Sequence, residues 1–160
     1  MAIVVSDTSP IRALHHLDLL PVLADLYGTV FVPPAVVAEL HKETPRFQPL
    51  EVKGFSYIQL RAPGDRQAVG DLARTLDPGE SEAIALAQEL GASLLIDEKT
   101  GRRIAQRMGL LTIGVVGVLL AAKARGRVMR IGPLLDRLRT EVGFRLSPVI
   151  RANALRLAGE

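Results

Sequence analysis

An α/β protein built on a parallel sheet with helices on both faces is the fold that the sequence predicts. Three observations carry this. Short β-branched apolar runs alternate with stretches of helical pattern, the runs are apolar at every position, and Pro or Gly marks several of the joins. A strand with one wet face alternates apolar and polar residues. A run without alternation is covered on both faces, as the helical crossovers of a parallel sheet require.

Ile3-Val4-Val5 reads as the first buried strand. Pro10 can open a helix through Leu17, and a second helix follows from Asp18 to Leu26. Thr29-Val30-Phe31-Val32 is the next strand, and Pro33-Pro34 stands where a helix can begin, because the first helical N–H groups have no partner to lose. That helix carries Val36, Val37 and Leu40. Residues 43–66 hold Pro45, Pro49, Gly54, Pro63 and Gly64, with a possible strand at Tyr57–Leu60. Helices are expected at Gln67–Leu76 and from Asp77-Pro78-Gly79-Glu80 to Leu90, the latter ended by Gly91. Ser93-Leu94-Leu95-Ile96 is a strand, Lys99–Met108 a helix, Leu111-Thr112-Ile113 a last strand and Gly114–Arg125 a helix. Extra C-terminal helices are expected at 131–141 and 147–158.

The 160 residues suit a single domain, with a core over about 1–125 and a helical appendage over about 126–160. Hydrophobic residues make up 48% of the chain and aromatics only 4%, so the core must be aliphatic. So few aromatics argue against binding single strands by base stacking. With no Cys, disulfides and thiolate-bound zinc are excluded. The N-terminus has no leader pattern and no run reaches membrane-spanning length, so a cytoplasmic protein is expected. Residues 121–160 carry nine Lys or Arg against three acids, while the first 120 carry 11 against 14. An acidic body with a basic tail suits a metal held in one place and a polyanion in another, although charge runs often serve only as solvated helix surface.

The acids fall at informative places. Asp7 directly follows the first strand, and Asp97 and Glu98 directly follow the fourth. In parallel sheets the site lies beyond these carboxyl ends. Glu39 lies inside the helix after the second strand, and Glu80 and Glu82 lie in the first turns of another. Carboxylates from distant segments can thus meet at one edge. Crowded together they should raise the pKa of at least one member, and a hard divalent cation would offset their repulsion. Each also has a structural alternative. Asp7 could cap the next helix, and Asp77 and Glu80 stand at capping-box spacing. His15-His16 point about 100° apart on a helix and suit packing or surface roles. Arg102 and Arg103 could meet a phosphate, but pairing within the protein, as with Glu98, is the expected role. Gly114 and Gly117 should permit close helix–sheet packing.

Four acidic stretches in this order resemble those of PIN domains. They are Val4-Val5-Ser6-Asp7-Thr8-Ser9-Pro10, Val36-Val37-Ala38-Glu39-Leu40, Leu76-Asp77-Pro78-Gly79-Glu80-Ser81-Glu82 running on to Gly91, and Leu94-Leu95-Ile96-Asp97-Glu98 with Gly101-Arg102-Arg103. Ile113–Leu120 and Gly143-Phe144-Arg145-Leu146-Ser147-Pro148 extend the likeness over nearly the whole chain, toward a branch related to VapC toxins. The resemblance implies a PIN-like fold and a metal-dependent ribonuclease of the toxin type. Asp7, Glu39, Glu80 and Asp97 would be both catalytic and metal-holding residues, with Glu82 and Glu98 as rivals for the third and fourth places. It further implies Mg²⁺ or Mn²⁺, RNA as substrate, a homodimer and a small antitoxin protein. Two positions depart from the pattern, because the third acid is usually Asp and the fourth usually stands alone. A PIN fold that binds nucleic acid or a partner without turnover is the alternative.

Overall fold

A computed structural model describes residues 3–160. Met1 and Ala2, the start of the N-terminal stretch read above as lacking a leader, lie outside the described residues. Among the described residues the sheet has five strands, all parallel, in the order β3-β2-β1-β4-β5. They are β1 (Val4–Ser6), β2 (Val30–Val32), β3 (Ile58–Leu60), β4 (Ser93–Leu95) and β5 (Thr112–Ile113). The helices are α1 (Thr8–His16), α2 (Val22–Tyr27), α3 (Pro34–His41), α4 (Arg66–Leu72), α5 (Pro78–Leu90), α6 (Lys99–Arg107), α7 (Val115–Ala124), α8 (Gly132–Arg137) and α9 (Pro148–Leu157).

Neighbouring residues of a strand face opposite sides of the sheet. Val4 and Val5 are both fully buried, as are Leu94 and Leu95, so helices cover both faces at the centre. The chain runs outward from β1 through β2 to β3, then returns to add β4 on the other side of β1. The strand order therefore reverses between β1 and β4. There the connections leave in opposite directions and open a crevice at the carboxyl ends. The amide of Asp7 donates to the Leu95 carbonyl at 2.9 Å, which places the ends of these two strands side by side.

Local chemistry sets the element boundaries. Asp18 adopts a left-handed φ of 57°, so the second helix begins only at Val22. The helix expected over 67–76 stops at Leu72, and the chain turns through Ala73–Leu76, burying Leu76 and setting up Asp77 as the cap of α5. The helix expected over 131–141 divides. After Arg137 the backbone widens into a π-helical turn at Leu138–Val142, where the Thr140 hydroxyl donates to the Asp136 carbonyl at 2.9 Å and competes for the helical acceptor. The C-terminal helices contribute Ile131, Leu135, Leu138 and Ala154 to the same buried cluster as the strands. Glu160 fixes the start of α8 by accepting the Ile131 and Gly132 amides at 2.7 and 3.1 Å. Among the described residues no helix is long and apolar enough to cross a membrane.

Leu94 sits fully buried between β1 and β5. Leu94→Ala should lower unfolding free energy by about 2–5 kcal/mol, read from the midpoint of urea denaturation, because the central strand cannot close over the cavity.

Candidate metal centre

Four segments bring their acids to the crevice between β1 and β4. Asp7 stands at the N-terminal boundary of α1 with an extended backbone, but its side chain makes no capping hydrogen bond. The capping alternative is thus not what the carboxylate does. It is 4% exposed, and the charges of Asp77, Glu39 and Asp97 act on it. Burial first, and these like charges after it, push Asp7 up to about 7, against a lowering contribution from the Thr8 amide.

Glu39 is held from two sides. The Thr8 hydroxyl donates to its Oε2 at 2.6 Å, and Arg12 donates to its backbone carbonyl at 2.6 Å. A Cβ on Gly79 would come within 2.5 Å of Glu39 Oε1, so the bare backbone at the start of α5 is what admits this carboxylate.

Asp77 accepts the Glu80 amide at 2.8 Å, which is one half of a capping box. The other half is not made. Glu80 turns inward instead, is 7% exposed, and leaves Oε2 buried without a bond from any backbone N–H, hydroxyl or cationic side chain, facing other carboxyl groups. Burial first, then hydrogen bonding with Asp77 and Glu98 and the charge of Asp7, push Glu80 up to about 9. An acid with that pKa keeps its proton at neutral pH and can donate it to a neighbouring carboxylate. A Cβ on Gly101 would lie 2.8 Å from Glu80 Oε2 and 3.4 Å from Glu98 Oε2, so both acids converge on the bare start of α6.

Asp97 accepts the Val115 amide at 3.0 Å and is pushed up to about 6, by burial against the opposing effects of that amide and of Arg102. Arg102 donates to the Ile96 carbonyl at 2.8 Å, so it is held within the protein near Asp97, whose charge it favours, and is not paired with Glu98. Glu98 caps α6 by accepting the Gly101 amide at 2.6 Å. Burial acts against its charge, but the Gly101 and Thr100 amides outweigh it and hold Glu98 below the usual range.

The two rival glutamates separate cleanly. Glu82, also buried, accepts the Ala35 amide at 2.9 Å and lies 3.4 Å from Arg66. It secures the start of α3, the helix that carries Glu39. Glu80 and not Glu82 is among the neighbours of Asp7 and Glu98. Asp77 is the member that sequence reasoning missed, since its capping role already explained it. Among the described residues no group of three or more His, Asp or Glu side chains stands close enough together to hold a metal ion as it is. The orphaned Glu80 oxygen and an all-carboxylate donor set nevertheless suit a hard divalent cation, which prefers oxygen.

A family model described as a PIN domain matches residues 3–160. The chain belongs to the PIN-domain family. PIN domains are in general nucleases, and they typically use divalent metals. No curated protein matches the chain in sequence.

Around this PIN-domain crevice the remaining charges are unevenly spent. Arg137 pairs with Glu141 at 3.0 Å, Arg151 with Asp136 at 3.1 Å and Arg127 with Asp25 at 3.3 Å. His16 meets Glu141 at 2.9 Å, and His15 packs edge-on against Phe55, so the histidine pair serves surface and packing. Arg145, by contrast, lines the cleft beside Asp97 and Glu98.

Raised carboxyl pKa values link folding to pH. Asp7, Asp97 and Glu80 all bind protons more tightly folded than unfolded, so the folded state holds the extra protons as pH rises above about 4. Stability of the metal-free protein should therefore fall between about pH 5 and pH 9, on the order of 1 kcal/mol per pH unit near neutrality. Thermal melts in EDTA across this range check it. In Glu80→Gln the decline should be shallower, above all between pH 7 and 9.

Proposed function

We propose that this PIN domain is a metal-dependent ribonuclease of the toxin type that hydrolyses RNA phosphodiesters at its acidic crevice. The observation that carries the reading is the buried, unpartnered Glu80 oxygen among the carboxylates of Asp7, Asp77 and Glu98. A fold that only needed stability would replace such a group by an apolar side chain. Asp7, Glu39, Glu80 and Asp97 would hold Mg²⁺ or Mn²⁺, with Asp77 and Glu98 completing the negative field. The bound cation supplies Lewis-acid charge that activates water and offsets charge building on the phosphate.

The chain's own groups do the positioning. Thr8 and Arg12 orient Glu39, the Val115 amide orients Asp97, Arg102 is fixed nearby on the Ile96 carbonyl, and Glu82 fixes the helix on which Glu39 rides. Asp7 and Glu80 must release protons before they can serve as ligands. Lys99, Arg102, Arg103 and Arg145 line an adjoining cavity of about 680 Å³ that also touches Asp97, and supply cationic surface for a phosphate backbone. A homodimer, a small antitoxin and a cytoplasmic setting belong to the same reading, on the strength of the likeness to the VapC branch.

Purified protein should cleave single-stranded RNA in Mn²⁺ or Mg²⁺ and not in EDTA, and Asp7→Asn should reduce the rate on the order of 100-fold or more. Cleavage that persists in EDTA, or that Asp7→Asn leaves intact, would sink the metal-dependent reading. Tight RNA binding without cleavage in any metal would instead establish the binding-module alternative.

A further inference from the structure

The chain contains four phenylalanines, and two of them line one cleft of about 330 Å³ that opens onto the acidic crevice. Phe47 and Phe144 supply its aromatic walls, Arg12 and Arg145 its positive charge, and Asp97 and Glu98 its acidic end. The volume stands at the lower end of the range for small-ligand pockets, about 300–1,000 Å³, and suits one planar group.

Phe47 is half-buried but does not belong to the hydrophobic core or to the side chains packed against it. Its ring is held by a closed turn, in which the Phe47 amide donates to the Thr44 hydroxyl at 3.0 Å and the Thr44 amide to the Phe47 carbonyl at 2.9 Å. The Arg12 guanidinium lies 5.3 Å from the ring centroid while also bonded to the Glu39 backbone. One arginine thus connects the cleft wall to the helix of a candidate metal ligand.

Phe144 follows the π-helical turn. Gly143, with φ of 73°, reverses the chain, and the Phe144 amide donates to the Leu138 carbonyl at 3.0 Å. The Arg46 guanidinium occupies the space where a Cβ on Gly143 would stand. The two aromatic loops are therefore packed on each other at Arg46 and Gly143. The cavity lined by Lys99, Arg102, Arg103 and Arg145 shares Asp97 and Arg145 with the aromatic cleft.

We propose that the cleft between Phe47 and Phe144 receives one unstacked nucleobase of the RNA strand, with the adjoining phosphates running past Arg145 toward Lys99, Arg102 and Arg103. The inference rests on the ribonuclease reading and adds to it a base-holding subsite next to the cut. An aromatic face accepts any base by stacking, and adjacent guanidinium groups reinforce the contact. A base also needs its neighbours' stacking removed before it can enter, so the cleft selects single strands over duplex.

The test walks one abasic residue along a short single-stranded RNA. Binding of the full chain is followed by fluorescence anisotropy in EDTA at low salt, where phosphate contacts are strongest and cleavage is off. Cleavage of the same strands is followed in Mn²⁺. One abasic position should weaken wild-type binding by roughly 5- to 100-fold, the range of a single base–aromatic stack, and the others should matter little. Phe47→Ala should cost a similar factor on the intact strand and nothing further on that abasic strand. Phe144→Leu, which keeps the apolar packing without the ring, should repeat the pattern, with thermal melts confirming that both variants fold. Wild type that cleaves RNA with no sensitive abasic position, or Phe47→Ala that loses equally on intact and abasic strands, overturns the base subsite alone. So does Phe47→Ala that binds RNA normally while changing self-association in sedimentation. Wild type that neither binds nor cleaves any strand removes the ribonuclease reading and the subsite together.

Discussion

The rest of the structure is arranged around carboxylates kept out of water where the strand order reverses. Asp7 and Glu80 are almost fully buried, and Glu80 has an oxygen that no N–H or hydroxyl of the chain reaches, only neighbouring carboxyl groups. Removing a charged acid from water costs several kcal/mol unless a partner compensates, and without one the group takes up a proton. Burial, more than mutual repulsion, is the leading cause of the raised pKa at Asp7, Asp97 and Glu80 alike. The aliphatic core must carry this load. It does so with strands covered on both faces and with α5, whose Ala83, Ile84, Leu86 and Ala87 are buried immediately after the two glutamates.

The sheet was legible because its signal is local. Apolar runs without alternation identify strands buried on both faces, and the acids that end them fall at the carboxyl edge by construction. Asp7 and Asp97 could be placed for that reason. The choice between Glu80 and Glu82 could not be read, because both lie near the start of one helix. They are two residues, or about 200°, apart around the helix axis, so they face nearly opposite ways. Only the tertiary fold shows that Glu80 faces the crevice while Glu82 reaches the Ala35 amide. Asp77 was concealed by its own capping role, although its spacing to Glu80 was visible. The scarcity of aromatics, read as evidence against base stacking, weighs against extended stacking platforms and leaves room for the single base subsite proposed above. Composition counts rings, whereas a cleft needs only two, and Phe47 and Phe144 are brought together from segments 97 positions apart.

All three acids of the tail are paired within it and only Arg127 reaches an acid of the body, so the tail keeps its positive excess but not at every position. Lys123, Arg127, Arg130, Arg137 and Arg151 each lie within ion-pair distance of an acid. Pairs of this exposed kind contribute little to stability, but they cancel the local field that would draw a polyanion. What counts for recognition is therefore which cations stand at the crevice. Arg145 comes from the tail, and Lys99, Arg102 and Arg103 come from α6, so the cationic surface is assembled across the boundary that the sequence drew at about residue 125.

A protonated Glu80 also gives the crevice a defined resting state. On the proposed reading, the proton substitutes for part of the cation's charge. It reduces the negative field beside Asp7 and Asp77, and it lets Glu80 bond to a carboxylate that would otherwise repel it. Loading the site then requires that proton to leave, so apparent metal affinity must rise with pH until Glu80 is ionised near pH 9. The same step turns a burial penalty into binding specificity. A monovalent ion returns too little charge to compensate several desolvated carboxylates at once, whereas a small divalent ion returns enough and accepts their oxygens directly. Glu in place of the shorter Asp lengthens the reach to that ion, and its extra rotatable bond must be held by packing. Here Gly101 supplies the clearance and Ile96 the apolar wall, which restrict the side chain without offering Oε2 another partner.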